Sequence, residues 1–221
     1  MEEPSITKGE QTRQEILAAA KRLFLSQGFT ATPMRQIARA AAITPAAIYN
    51  HYPGKDALFT ALLQRAAPYD ELFAFFSRME AGSPEDLMGQ IVRAALGVFT
   101  AHQDYLQLAL IDAQERDGAA LLTFLPELLP RAQTWYQRLT VLDAEAGFGP
   151  PGRARLRQVP FPVFLRTMIS LLAGFMLTER VIKPDRLPQF ADIDWPEALV
   201  DVFLHGVLKP PDRDGEGAAG T

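Results

Sequence analysis

The stretch that decides the fold is AAITPAAIYNHYPGKDAL, residues 41–58. It reads as a short helix whose leading edge is nearly bare: Thr44, Pro45, Ala46 and Ala47 are all small. Hydrogen-bonding groups crowd in behind them, namely Tyr49, Asn50, His51 and Lys55. A helix entering the major groove of B-DNA, about 12 Å wide, must bring its first turn against base edges. Small residues allow that approach, and their methyl groups can pack on thymine methyls. The Thr44 and Tyr49 hydroxyls, the His51 ring and the Lys55 ammonium suit phosphates. Lys55 also falls in the first turn of the following helix, whose free N–H groups favour an anion. Ile48 and Tyr52, one turn apart, would anchor the segment to a core.

Upstream, the apolar residues keep helical spacing. Thr12 and Glu15 fit a capping box, Ile16, Ala20, Leu23 and Phe24 share a face, and Gly28 is a stop, which predicts a helix near 13–27. Thr32 is placed to cap a second helix at 33–40, with Pro33 at its first position and Met34, Ile37, Ala38 and Ala41 facing inward. Thr44-Pro45 repeats the device for a third helix at 45–51. Two short helices joined by a turn make a helix-turn-helix. YPGKD ends the third helix, and a long fourth is expected over 54–78. Ser83-Pro84-Glu85-Asp86 caps a fifth, with Leu87, Ile91, Ala94, Ala95, Val98 and Phe99 inside. Further helices are expected over 103–115, 118–147 (bent or broken at Pro126 and Pro130), 161–182 and 195–207, the last starting at Asp194 with Glu197 three residues on. Residues 147–162 read as a loop and 209–221 as a disordered tail. No segment alternates like a strand, so the fold class is all-α.

The 221-residue chain is 48% hydrophobic and has no Cys, which excludes disulfides and thiolate chemistry. Its N-terminus lacks the apolar run of a signal peptide. The most apolar run, 163–177, is shorter than the roughly 20 residues of a membrane helix and contains Arg166. A soluble cytoplasmic protein without a membrane partner is expected. The net charge of −4 is unevenly divided. Residues 1–66 hold 8 Lys+Arg against 5 Asp+Glu, a balance of +3; residues 67–221 hold 14 against 21, or −7. A mildly basic head sits on an acidic body.

Thr12–Leu58 resembles the DNA-binding domain of the TetR family of bacterial transcriptional regulators. The matching features are IL-AA--LF---GF, the MRQIA helix, I-T-AAIY-HY and the following K-D-AL. The resemblance implies an N-terminal three-helix helix-turn-helix domain, 1–58, ordered from about residue 10. It also implies a helical ligand-binding and dimerisation domain, 59–208, followed by the tail. The implied protein is a homodimer on a palindromic double-stranded operator, most simply a repressor released by a small molecule. An activator, a ligand-independent regulator, or a helical ligand-binding protein or enzyme with a vestigial head are the alternatives. The DNA-contacting set is Thr32, Arg35, Thr44, Pro45, Ala46, Ala47, Tyr49, Asn50, His51 and Lys55. By similarity Arg35 reaches a guanine, with a phosphate contact or a solvated side chain as alternatives; Asn50 could pair with adenine. His51 packed against Tyr52 and the fourth helix fits equally well. Pro33 stands where the family usually has Ser or Thr, and Ala42 where it has a turn Gly. A left-handed Ala there would cost on the order of 1 kcal/mol.

The helix at 163–182 is apolar nearly all round, so it is expected to be buried on more than one side. Its small strip, Ser170, Ala173 and Gly174, with Leu177 and with Phe203 of the last helix, is the expected dimer interface, a four-helix arrangement. An effector pocket between helices would draw on Phe99, His102, Tyr105, Phe124, Trp135, Phe164, Arg166 and Met168. No cofactor or metal is expected: His102 and Asp104 read as helix-end capping, and no Gly-rich phosphate loop is present. Asp112 and Glu115, three apart on a helix, mimic an acid/base pair but read as a solvated face. No catalytic residue is assigned.

Overall fold

A computed structural model describes residues 7–146, 155–156, 159–179 and 193–209. Apart from a two-residue antiparallel ladder, Arg155–Leu156 (β1) with Leu208–Lys209 (β2), the regular elements among them are helical. The expected loop lies mostly outside the described residues, as do 180–182 of the 161–182 helix and 210–221 of the tail. The chain divides into two compact units, 1–68 with 102–126, and 69–101 with 127–221. The unit holding the head therefore runs past Leu58 and takes in a distant segment.

In the first unit, α1 spans Lys8–Gln27 and begins earlier than its apolar spacing suggests. Thr7 caps it, its hydroxyl accepting the Glu10 N–H at 3.3 Å. Thr12, the expected cap, lies inside the helix and donates to the Lys8 carbonyl. Gly28 ends α1 at φ 82, a left-handed value that a side chain would strain. α2 is Met34–Ala40, and its N-cap is Pro33, which makes no side-chain cap bond. The third helix is a single 3-10 turn, Ala47–Asn50, rather than a helix over 45–51. The long fourth helix is two: α3, Lys55–Ala66, and α4, Tyr69–Arg78, the latter in the second unit. The break follows from Pro68, which disfavours helical ψ at the residue before it; Ala67 accordingly turns to ψ 124. Ile16, Phe24, Ile37, Ile48, Leu58, Phe59 and Leu63 are fully buried. Each contributes roughly 1.5–3 kcal/mol relative to exposure. Phe24, Phe29 and Phe59 form an aromatic cluster with centroids 5.0–5.8 Å apart.

α6, Gln103–Glu115, and α7, Ala119–Leu122, complete this unit. Tyr105 and Leu108 of α6 are buried. The expectation of a solvated Asp112–Glu115 face holds for Glu115, which is exposed, and fails for Asp112. Asp112 is fully buried and accepts Arg116 at 2.7 Å, the Ala120 N–H at 3.2 Å and the Leu121 N–H at 2.9 Å, so it caps α7. Arg116 is itself 5% exposed. Its Nε and Nη2 donate to Asp56 of α3 at 3.2 and 3.0 Å, and its guanidinium lies 4.8 Å from the Phe29 and Phe59 ring centroids. These partners are distant in sequence, so spacing along one helix could not reveal them.

The second unit is built on α5, Pro84–Ala101, whose Ser83 accepts the Asp86 N–H as expected. Leu87, Met88, Ile91, Val92, Ala95 and Leu96 of α5 join Leu72 and Phe76 of α4. Leu139 of α8 (Leu125–Ala146), Phe164 and Leu172 of α9 (Phe161–Glu179), and Val200 and Phe203 of α10 (Trp195–Val207) close the core. α10 has the expected bounds, with Asp194 accepting the Glu197 N–H. Phe203, expected at the dimer interface, packs inward 6.0 Å from Phe164.

Asp112→Ala should lower stability by about 3 kcal/mol, because it leaves a buried guanidinium short of a partner and uncaps α7. Denaturation of the full chain followed by far-UV circular dichroism measures this. An unchanged midpoint would mean that Asp56 alone satisfies Arg116.

Candidate nucleic-acid interface

The turn between α2 and the 3-10 turn decides how the head presents its tip. The Ile43 N–H bonds the Ala38 carbonyl at 3.0 Å and the Ala42 N–H bonds the Arg39 carbonyl at 3.1 Å. This is a Schellman ending. It requires a left-handed residue, and Ala42 supplies it at φ 55. The turn is thus kept although Gly is absent. Thr44 then accepts the Ala47 N–H at 3.1 Å, so its side chain starts the 3-10 turn. Behind the tip, Ile48 and Tyr52 are buried as expected. Burial pushes the Tyr52 phenol up, opposed by Arg13, whose guanidinium lies 4.7 Å from the ring centroid.

Most of the expected contact residues reach the surface. Arg35, Thr44, Pro45, Ala46, Tyr49 and Asn50 are exposed, and Ala47, His51 and Lys55 are half-buried. Tyr49 is 54% exposed. Thr32 does not belong with them. It is fully buried, and its hydroxyl donates to the Gly28 carbonyl at 2.7 Å. Its oxygen also accepts from Gln27, whose amide reaches the Ala31 carbonyl and Gln36 as well. Thr32 is a brace for the start of α2, and Gln27 and Gln36 are supports that no motif marks.

Lys55 opens α3. Its ammonium donates to the Phe29 carbonyl at 2.8 Å and the Thr30 carbonyl at 3.4 Å, 4.2 Å from the Phe29 ring centroid. From α6, Glu115 accepts the Thr30 N–H at 2.6 Å. That backbone N–H holds the Glu115 carboxyl below its ordinary value, helped by Lys55. The carboxylate is therefore ionised throughout the neutral range. Its hold is fully present above the ordinary carboxylate value and is lost only as pH falls through the lowered one.

The effector-pocket candidates separate. His102, Tyr105 and Phe124 belong to the unit with the head, and Phe99, Trp135, Phe164 and Met168 to the other. Arg166 is exposed on α9, on the side of Val163 and Ser170, rather than turned inward. Ser170, Gly174 and Leu177 are also exposed and Ala173 half-buried. A groove of about 250 Å³ beside Arg13, Tyr52 and Arg65 involves none of the pocket candidates. Among the described residues, no three His, Asp or Glu side chains cluster to hold a metal ion.

A bare tip on a Schellman turn, flanked by exposed polar side chains and carried by a helical body, defines a helix-turn-helix protein of two helical units. Residues 16–62 match the profile of bacterial regulatory proteins of the tetR family. The chain is 33% identical over 100 residues to the HTH-type transcriptional repressor BepR of Brucella suis biovar 1, covering 44% of this chain and 48% of that protein. It is 34% identical over 86 residues to the HTH-type transcriptional regulator AcrR of Shigella flexneri, covering 38% and 40%. These matches span less than half of either relative. The fold extends further. A putative tetR family transcription regulator from Shewanella sp. PV-4 superposes with TM-score 0.63 at 16% identity, over 90% of this chain and 98% of that one. NalD, the secondary repressor of the MexAB-OprM multidrug efflux pump in Pseudomonas aeruginosa, superposes with TM-score 0.59 at 25% identity over the same shares. Residues 16–62 are thus similar to the tetR-family DNA-binding segment, and the chain shares the fold of tetR-family structures.

Ala42→Gly should raise stability by on the order of 1 kcal/mol, because glycine adopts the left-handed turn without strain. Thermal unfolding monitored by circular dichroism measures it, and a lower melting temperature would show that Ala42 is not strained.

Proposed function

We propose that this chain is a homodimeric, cytoplasmic, sequence-specific DNA-binding regulator that represses transcription from a near-palindromic operator and is released by a small-molecule effector. The observation that carries the reading is the exposed tip. Pro45, Ala46 and Tyr49 face solvent while Ile48 and Tyr52 fix the same turn in the core. In this reading Ala46 and Ala47 approach base edges, Thr44, Tyr49, His51 and Lys55 meet phosphates, and Arg35 and Asn50 read bases. The fold supports it, as do relatives whose names call them transcriptional repressors or regulators. Nothing in the reading calls for catalysis.

Dimerisation is supported by α9 and α10. Phe161–Thr178 has mean hydropathy 1.6, apolar and long enough by composition alone to cross a membrane, yet only 17% of it is buried. Val163, Ile169 and Leu177 of α9 and Val202 of α10 are 44–63% exposed. A second copy would cover such a surface and set two heads on successive major grooves. One weakly apolar helix does not indicate a membrane.

The central experiment selects DNA from a randomised pool with the full chain, footprints the product and measures the adjacent promoter with the gene deleted. A palindromic footprint and raised transcription are expected. No enrichment would overturn DNA recognition, and lowered transcription would make the protein an activator. Arg35→Ala should cost about 1–3 kcal/mol at one base pair per half-site, seen as relaxed preference there in competition binding. Equal loss on all operator variants would make Arg35 a backbone contact. Gly174→Leu should shift the dimer toward monomer with helix content unchanged, since a Cβ built at Gly174 meets nothing within 4 Å in its own subunit. Overpacking at the partner costs about 1–3 kcal/mol, and two-fold symmetry repeats it. Light scattering at low micromolar concentration is the measurement; a dimer of undiminished affinity would place the interface elsewhere.

A further inference from the structure

We infer that Glu115, at the end of α6 and far in sequence from the helix-turn-helix, is a positioning residue for DNA binding: it fixes the Phe29–Thr30 backbone, whose carbonyls hold the Lys55 ammonium at the first turn of α3. The inference rests on the reading of Lys55 as a phosphate contact.

The Phe29–Thr30 segment is held from two sides. Glu115 takes the Thr30 N–H at 2.6 Å. Lys55 takes the Phe29 and Thr30 carbonyls at 2.8 and 3.4 Å. The carboxylate lies directly on the turn: a Cβ built at Gly28 would meet Glu115 Oε1 at 2.4 Å. Gly28 thus leaves room for the carboxylate as well as adopting the left-handed φ. The neighbouring Arg116 secures the same geometry by donating to Asp56, the residue after Lys55. An ammonium has three donors. Two go to the carbonyls and one remains for a phosphate oxygen. The Phe29 carbonyl also accepts the Thr32 N–H at 3.2 Å, so what loss of Glu115 loosens is the Thr30 peptide and its carbonyl, and with it part of the fixed geometry of Lys55.

Charge alone predicts the opposite result. Removing a carboxylate from the DNA-binding head strengthens binding to a polyanion. A loss of affinity on neutralising Glu115 therefore signals positioning. The full-length protein is titrated against its selected duplex and a random-sequence duplex at several salt concentrations, as wild type, Lys55→Ala, Glu115→Ala, Glu115→Gln and the Lys55→Ala/Glu115→Ala double variant. Lys55→Ala should lower the salt slope by about 1. Glu115→Ala should weaken binding to both duplexes about tenfold, the scale of one charge-assisted hydrogen bond, and lower the slope similarly. In the Lys55→Ala background it should change nothing further. Glu115→Gln, which keeps an acceptor for the Thr30 N–H, should restore most of the affinity. Unchanged or tighter binding by Glu115→Ala, or an undiminished loss on top of Lys55→Ala, overturns the positioning role. An unchanged slope for Lys55→Ala overturns the phosphate reading itself, and the inference with it.

Discussion

The buried guanidinium of Arg116 is the constraint on which the head depends. A charge only 5% exposed is tolerable because every face of it is occupied. Asp112 and Asp56 take its donors, and the Phe29 and Phe59 rings cover its planes. Those partners come from α6, from the start of α3 and from the turn after α1. One cation thus fixes the end of α6 against the start of α3 and the turn after α1, which flank the helix-turn-helix. With the Lys21–Asp104 ion pair and the Thr30–Glu115 bond, it ties residues 102–126 into the same compact unit as 1–68. Asp112 extends the network to α7 through two backbone N–H groups, so the direction of the chain after α6 is set by the same site.

Local rules made much of the head legible. Period placed the inward faces of α1 and α2, and Ile48 and Tyr52 were read as anchors from their spacing. Small residues and turn chemistry marked the tip. Errors arose where two local signals competed. Thr12 and Thr7 both suit an N-cap; Thr7 does the capping, and Thr12 bonds back within the helix. Thr32 precedes Pro33 as a cap should, yet its hydroxyl turns back to Gly28 and is buried. Pro68 breaks the expected 54–78 helix although Leu, Phe and Ala continue on both sides of it. The burial of Asp112 escapes local rules for a different reason. Asp112 is buried with Arg116, whose further partner Asp56 lies 60 residues away, and Glu115 accepts from Thr30, 85 residues away; no pattern within one helix encodes these two long-range contacts.

The second unit was legible in outline only. Capping marked the starts of α5 and α10, because Ser83 and Asp194 each have an acidic residue just behind them. Side-chain direction on α9 and α10 was harder to read. A helix apolar all round gives no phase, so size had to stand in for orientation. Ser170 and Gly174 are exposed, whereas Phe203 is buried and its neighbour Val202 faces out instead. Arg166, a pocket candidate in that apolar run, is exposed as well. A guanidinium without a buried partner is more stable at the surface, and that is where it lies.

The placement of acids in the head follows from the same physics. The first 66 residues carry only a small positive excess, so an acidic side chain there weakens any attraction to phosphate unless its charge is engaged. Asp56 follows Lys55 directly, yet one of its oxygens takes two donors from Arg116. Glu115 is brought to the head from α6 and is spent on the Thr30 N–H, with Lys55 on the other side of that turn. Arg116, contributed by the same stretch as Glu115, compensates the local charge. The acidic body thus supplies its head with a balanced pair, one member filling a buried site and the other holding a backbone turn. The excess positive charge on residues 1–66 is left to the exposed side chains, Arg35 and Arg39 of α2 among them.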